Sequence, residues 1–182
     1  MELKTVMRDS VGIKGLKDMC LAIDEKIGGK ITIIEIGSYM GESSAIFAEE
    51  FPYGKIICID PWKAGYDDKD TASSSDFTEV EQQFDLRTME YENIFKLKGN
   101  SLDYYKNCDV VYIDGSHKYE DVKADLLHWL PQTKRVICGH DYCNDEEFLK
   151  IHSHIRGVTQ AVNEVVGKPD MVFVDNSWLK WL

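Results

Sequence analysis

What this chain of 182 residues lacks narrows it first. It has no apolar stretch near the roughly 18 residues that a membrane-spanning helix needs. It has no CxxC pair, so nothing points to a structural zinc site. Its five cysteines, Cys20, Cys58, Cys108, Cys138 and Cys143, are scattered and odd in number. Cys58 and Cys138 sit inside apolar runs, and the set reads as reduced core thiols of a cytoplasmic protein. A basic excess is also missing. The net charge is -11, with an isoelectric point near 4.9. That speaks against nucleic acid, which needs a basic face, and against docking on an anionic membrane. A cationic or neutral small ligand fits this balance. Residues 1–9 carry charges and lack the apolar core of a secretion signal. No repeat and no second domain is visible. One domain with a sizeable core is expected from the length and the 43% hydrophobic content.

What is present alternates. Helical spacing over residues 10–27 (Ile13, Leu16, Met19, Cys20, Ile23, Ile27) stops at Gly28 and Gly29. Strands are expected at 31–36, 55–59, 95–98, 109–114 and 135–141. Helices are expected at 42–51, 77–95, 119–130 and 158–166, with Val122, Leu126, Leu127 and Trp129 facing inward from the third of these. Residues 171–174 and 178–181 read as a closing hairpin across Asp175, Asn176 and Ser177. Parallel neighbours need a long crossover, whereas a short turn forces an antiparallel pair. The expectation is an α/β fold: a Rossmann-like, doubly wound, mostly parallel seven-stranded sheet with a reversed C-terminal strand. Residues 64–78 are polar and without period, a loop that reads as a lid or as a plain surface loop.

Acids close the strands: Glu35 before the first turn, then Asp60, Asp114 and Asp141. The carboxyl ends of such strands form the ligand crevice. The first turn runs Gly37-Ser38-Tyr39-Met40-Gly41 into a helix through Ser43. It lacks the middle glycine of GxGxxG, which lets backbone approach a pyrophosphate. That weakens an NAD-linked oxidoreductase, one alternative of similar topology. S-adenosylmethionine has no pyrophosphate, and its hydroxyls, ammonium and sulfonium suit acids. Asp60 would accept from the ribose hydroxyls, Glu35 would orient the turn or reach the methionine end, and Trp62 would face the adenine. The plainer readings are an ordinary strand-to-helix turn and a core aromatic at Trp62.

At these residues the chain resembles class I S-adenosylmethionine-dependent methyltransferases over nearly its whole length. Glu35-Ile36-Gly37 with Gly41 is similar to their first motif, and Asp60 to their ribose acid. Ile113-Asp114-Gly115-Ser116-His117 with Tyr119, then Gly139-His140-Asp141-Tyr142, then residues 157–162 resemble a small-molecule O-methyltransferase-like family. Many members of that family are encoded beside genes for sugar or natural-product modification. The resemblance implies methyl transfer to a hydroxyl of a small acceptor, with Asn100 and Ser101 in a cofactor loop. In the catechol type, acids at the places of Asp114 and Asp141 hold magnesium, and a lysine stands where this chain has His117. The catechol pattern's asparagine is here Tyr142, which leaves His140, Asn144 and Asp145 as substitute third ligands. Asp114, Asp141 and His117 are thus the catalytic candidates, with Asp114 also against the cofactor and Asp114 with Asp141 as candidate ligands of Mg2+. A histidine can take a hydroxyl proton near neutral pH. The plainer readings are a helix cap for Asp114 and a surface position for His117. Tyr66 and Phe77 are candidate acceptor contacts, while His128, His152 and His154 read as structural or solvated. A binding module that has lost catalysis, and a homo-oligomer, stay open.

Overall fold

A computed structural model describes residues 8–182; most of the charged opening segment, residues 1–7, lies outside the described residues. Helix α1 (Ser10–Ile27) starts where the Asp9 carboxylate accepts from the amides of Val11 and Gly12, and it ends at Gly28 with φ 29°. Then follow β1 (Thr32–Ile36), α2 (Glu42–Glu50), β2 (Lys55–Asp60), α3 (Phe77–Thr88), β3 (Ile94–Lys98), β4 (Cys108–Ile113) and α4 (Tyr119–Trp129). The chain closes with β5 (Thr133–Gly139), α5 (Glu146–Ile151), α6 (Arg156–Val165), β6 (Met171–Val172) and β7 (Trp178–Trp181). The seven strands form one sheet in the order β3-β2-β1-β4-β5-β7-β6. All pairs from β3 to β5 are parallel, and β7 runs antiparallel to both β5 and β6. The expected reversed strand is therefore β7.

The strand order reverses direction between β1 and β4. There the two halves of the sheet send their crossovers to opposite faces, which opens a crevice above the strand ends. Leu16, Met19 and Ile23 of α1, Phe47 of α2 and Phe84 of α3 pack on one face of the sheet with Ile33, Ile56 and Tyr112. Val122, Leu126 and Trp129 of α4 and Val158, Ala161 and Val162 of α6 pack on the other with Ile34, Ile57 and Val111. The central strands are apolar on both sides because both faces are covered. All five cysteines are free and buried. Among the described residues no helix is long and apolar enough to cross a membrane.

Two local expectations need correction, and one helix was not anticipated. Leu127 is 56% exposed, because at helical period it points away from the stripe set by Val122, Leu126 and Trp129. The helix expected over 77–95 ends at Thr88, whose hydroxyl donates back to the Phe84 carbonyl; Met89 beyond it is 74% exposed. Helix α5 falls where the sequence shows no apolar period, and it starts on the Asp145 carboxylate, which accepts from the amides of Glu147 and Phe148. Trp129 is the largest fully buried side chain under α4. Trp129→Ala is expected to cost about 3–5 kcal/mol of stability, read as a lower midpoint in urea denaturation.

Candidate functional site

The turn after β1 is built from below and from both sides. Gly37 has φ 85°, and a Cβ there would lie 2.3 Å from the Asp114 carbonyl oxygen. Only glycine tolerates both conditions. Its amide donates to the Ile59 carbonyl at 2.9 Å, and the Asp114 amide donates to the Ile36 carbonyl at 2.8 Å. The ends of β1, β2 and β4 are thereby tied at one point. Beneath it Glu35 is fully buried and accepts from the Ser44 hydroxyl. Burial pushes the Glu35 carboxyl up, while the hydroxyls of Ser43, Ser44 and Ser38 oppose that rise.

A cavity of about 530 Å³ opens above the turn, within the size range of small-molecule sites. Of the candidate cofactor residues, Gly37, Ser38, Tyr39, Ser43, Asp60, Asn100, Ser101 and Asp114 line it. Asp60 is 6% exposed. Its two oxygens accept from the Tyr39 amide at 2.9 Å and the Trp62 amide at 2.6 Å. Burial raises its pKa and those two amides pull it back. Each oxygen keeps a lone pair for a ligand hydroxyl. Asn100 caps a short 3-10 turn by accepting from the Leu102 amide at 2.9 Å, and Ser101 donates to Asp125. Asp125 lines the cavity from α4, its carboxyl pushed up to about 6 by burial against the opposing Ser101 bond. The sequence reading missed it, because on the helix it shows only as one more acid.

Three candidates are not at the cavity wall. Glu35 sits under the turn as a brace. Gly41, φ 80°, precedes α2 and packs against the Phe84 ring. Trp62 is turned into the core, its ring 4.9 Å from Phe84 and its indole N–H donating to the Tyr39 carbonyl at 2.9 Å. The adenine-facing role expected for Trp62 is thus replaced by one of holding Tyr39, because φ 43° at Trp62 sends the ring to the α3 side.

At the other end of the cavity, Asp114 and His117 follow β4, and His140 and Asp141 follow β5. The His117 Nε2 lies 2.9 Å from Asp141 Oδ2, and its Nδ1 is buried with no hydrogen-bond partner. Asp70 stands 3.8 Å from that Nδ1. Burial by itself lowers the His117 pKa, but the bond to Asp141 and the charges of Asp141, Asp114 and Asp70 outweigh it, leaving the group raised to about 9. Asp141, with φ 62°, also meets His140 Nδ1 at 3.2 Å. Burial opposes its charge, yet the two imidazoles hold its carboxyl well below the usual carboxylate range. Asp114 does not cap α4. Its Oδ2 accepts from Arg8 at 2.7 Å and from the Tyr112 hydroxyl at 3.2 Å. Arg8 lines the cavity; it carries no motif signal and was not foreseen.

The loop 64–76 packs over this end. Tyr39 and Ser75 hydroxyls meet at 3.0 Å, Tyr66 donates to Asp70 at 2.8 Å, and Lys118 donates to the Tyr66 carbonyl at 2.9 Å. Tyr66, Asp70, Ala72 and Phe77 line the cavity. His128 bonds the Tyr104 carbonyl at 2.7 Å, away from the cavity. The His154 ring lies 5.6 Å from that of His117, and His152 stacks on Phe148.

Residues 34–142 match the model of a family described as a methyltransferase domain. The chain belongs to that family. Its match spans β1 to the turn after β5, the segment that carries the glycine turn, Asp60 and Asp114. No curated protein matches the sequence. Among solved structures, a provisionally named caffeoyl-CoA O-methyltransferase from Staphylococcus aureus superposes with a TM-score of 0.65 at 16% identity, over 97% of this chain and 84% of that one. Human N-acetylserotonin methyltransferase, solved in complex with S-adenosylmethionine, gives 0.64 at 11% identity, over 93% and 51%. An O-methyltransferase family protein from Burkholderia thailandensis gives 0.59 at 11%, over 92% and 55%. The chain thus spans about half the length of the latter two. These likenesses establish the fold, and the family match makes the chain a methyltransferase domain.

The magnesium expectation meets an obstacle. Asp114, His140 and Asp141 each bring one ligand atom within 4.8 Å of the others. But Arg8 is bonded to Asp114, and magnesium favours an all-oxygen octahedron. Of the other substitute ligands, Asn144 donates to the Tyr142 hydroxyl and Asp145 caps α5. Tyr142, at the place of the missing asparagine, is buried and bonded to Asn163 at 2.9 Å. The residues present do not fit a resident magnesium ion.

The glycine turn yields one direct test. Gly37→Ala is expected to cost about 1–3 kcal/mol in backbone strain alone, with more from the contact at the Asp114 carbonyl, and a thermal melt reads it.

Proposed function

We propose that this protein transfers the methyl group of S-adenosylmethionine to a hydroxyl of a small acceptor, with His117 as general base. The observation that carries the reading is the His117 imidazole: one nitrogen is bonded to Asp141, and the other is buried and unpartnered. In the neutral form the Nε2 proton goes to Asp141, and the Nδ1 lone pair is left for a substrate proton.

The acceptor oxygen attacks the methyl carbon in line, the carbon–sulfur bond breaks, and its electron pair stays on sulfur. The hydroxyl proton passes to His117 Nδ1. The products are the methyl ether and S-adenosylhomocysteine. The sulfonium is already activated, so the protein mainly supplies alignment, an effect worth roughly 7–11 kcal/mol at best. Asp60 would accept from the ribose hydroxyls, and the Gly37 to Ser43 turn would face the methionine portion. Asp70 and Tyr66, from the loop 64–76, would exclude water and meet the acceptor. Carboxylates accept from hydroxyls, so a sugar or a polyhydroxylated natural product suits this end.

Two measurements test the reading. Loss of the Asp60 carboxylate in Asp60→Ala removes charge-assisted bonds worth about 1.5–3 kcal/mol. Calorimetry with S-adenosylhomocysteine is therefore expected to show affinity lower by about 10- to 100-fold; no binding by the wild type would end the proposal. The pH profile tests His117. Its protonated form is inactive as a base, so kcat/KM for an acceptor hydroxyl is expected to rise with pH and level off near 9. The cationic sulfonium would shift that point downward in the complex. His117→Gln should flatten the profile and lower kcat by about 10²–10⁴. The same raised pKa stabilises the fold fully below pH 6.5, and that contribution fades as pH climbs through about 9.

A further inference from the structure

The side chains of Asp114, His140 and Asp141 form the kind of mixed carboxylate–imidazole set that takes a divalent transition metal. In this chain the set already holds a cation. The Arg8 guanidinium is 2.7 Å from Asp114 Oδ2 and 3.5 Å from the Tyr112 hydroxyl oxygen. Both side chains of the pair are only 15% exposed. Burial works against the charge on Arg8, yet Tyr112, Asp114, Asp175 and Asp141 raise its pKa above that of a free guanidinium. The backbone helps fix it: the Arg8 amide donates to Glu42 Oε2 at 2.9 Å, and Asp9, the next residue, caps α1. His140 lies between the same acids, 3.8 Å from Asp114, 3.2 Å from Asp141 and 3.7 Å from Asp175.

We infer that Arg8 is the fixed cation of this site: it occupies the charge position of a divalent ion, keeps the ion out, and leaves a latent metal site that its removal would open. A guanidinium and a divalent ion cannot share Asp114 at bonding distance, since like charges a few ångströms apart in a partly buried site repel by several kcal/mol. An arginine cannot release a proton to make room, because it stays charged at every working pH. The guanidinium faces the cavity with more donors than Asp114 and Tyr112 use. The acceptor oxygen, as it gives its proton to His117, therefore meets a positive charge supplied by the chain itself. In this respect the inference deepens the proposed reaction, but its metal-binding half stands without it.

The test is titration with Mn2+, followed by loss of the free-ion signal in electron paramagnetic resonance. Wild-type protein is expected to take up no Mn2+ at the site, and chelator treatment is expected to leave S-adenosylhomocysteine binding and methyl transfer unchanged. Arg8→Ala and Arg8→Gln are expected to bind about one Mn2+ per chain, at least about tenfold more tightly than wild type, given the repulsion removed. Arg8→Lys, which keeps the charge, should stay near the wild type. Adding Asp114→Asn to Arg8→Ala should abolish the uptake again. A wild-type chain that binds one Mn2+ per chain, or that loses methyl transfer on chelation, overturns the inference. So does a folded Arg8→Ala protein that binds no more Mn2+ than wild type. Absent cofactor binding would instead count against the proposed reaction, because the Mn2+ titration needs neither cofactor nor acceptor.

Discussion

The close approach of β1 and β4 at their carboxyl ends organises everything above the sheet. At Gly37 the backbone passes so near the Asp114 carbonyl that no side chain fits between them. The bond from the Asp114 amide to Ile36 and that from the Gly37 amide to Ile59 close the same corner. With the backbone locked there, the turn lifts Tyr39 so that its amide reaches Asp60, and β4 releases Asp114 beside the cavity. Glu35 and the hydroxyls of Ser38, Ser43 and Ser44 fill the space below with a polar brace. A buried carboxyl is costly in an apolar setting, and the Ser44 hydroxyl that donates to it offsets part of that cost.

From this corner an alternating chain of charges crosses the far end of the cavity. Arg8 holds Asp114, His140 stands between Asp114, Asp141 and Asp175, and Asp141 holds His117. Low effective dielectric strengthens each link and raises the penalty for breaking one. Asp175 is buried against α1, where a Cβ on Gly15 would collide with it. The segment before α1, the ends of β4 and β5 and the β6–β7 turn are thereby joined at one set of carboxylates. The four segments that bring these groups are far apart in sequence and meet only because β4 and β5 are neighbours in the sheet. The loop 64–76 then adds Asp70 from the opposite side, so His117 is bracketed by acids.

Much of this was legible in the chain. The apolar runs ending in acid gave β1, β2, β4 and β5, since a strand buried on both faces must be apolar throughout and can turn polar only where it leaves the sheet. The GxxxG spacing after β1 marked the turn, and the short loop at residues 175–177 required an antiparallel pair. Trp62 misled because a residue's place in a motif does not say which way its side chain points, and its ring lies in the core against Phe84; of the two places open to Glu35, the structure shows the one under the turn. Leu127 misled because one residue's shift on a helix is about a hundred degrees of rotation.

The sequence by itself thus determined the doubly wound sheet, its reversed last strand, the glycine turn after the first strand, and the acids at the strand ends. These follow from local pattern: period, glycine, and the length of each connection. Tertiary structure alone decided that Arg8 reaches Asp114, that Asp125 joins Ser101, that Asp70 faces His117, and that Tyr142 turns into the core. None of those pairs is close in sequence except through the fold, and electrostatic partners leave no period in a chain. The same local code that built the strand ends could not say which cation they would hold.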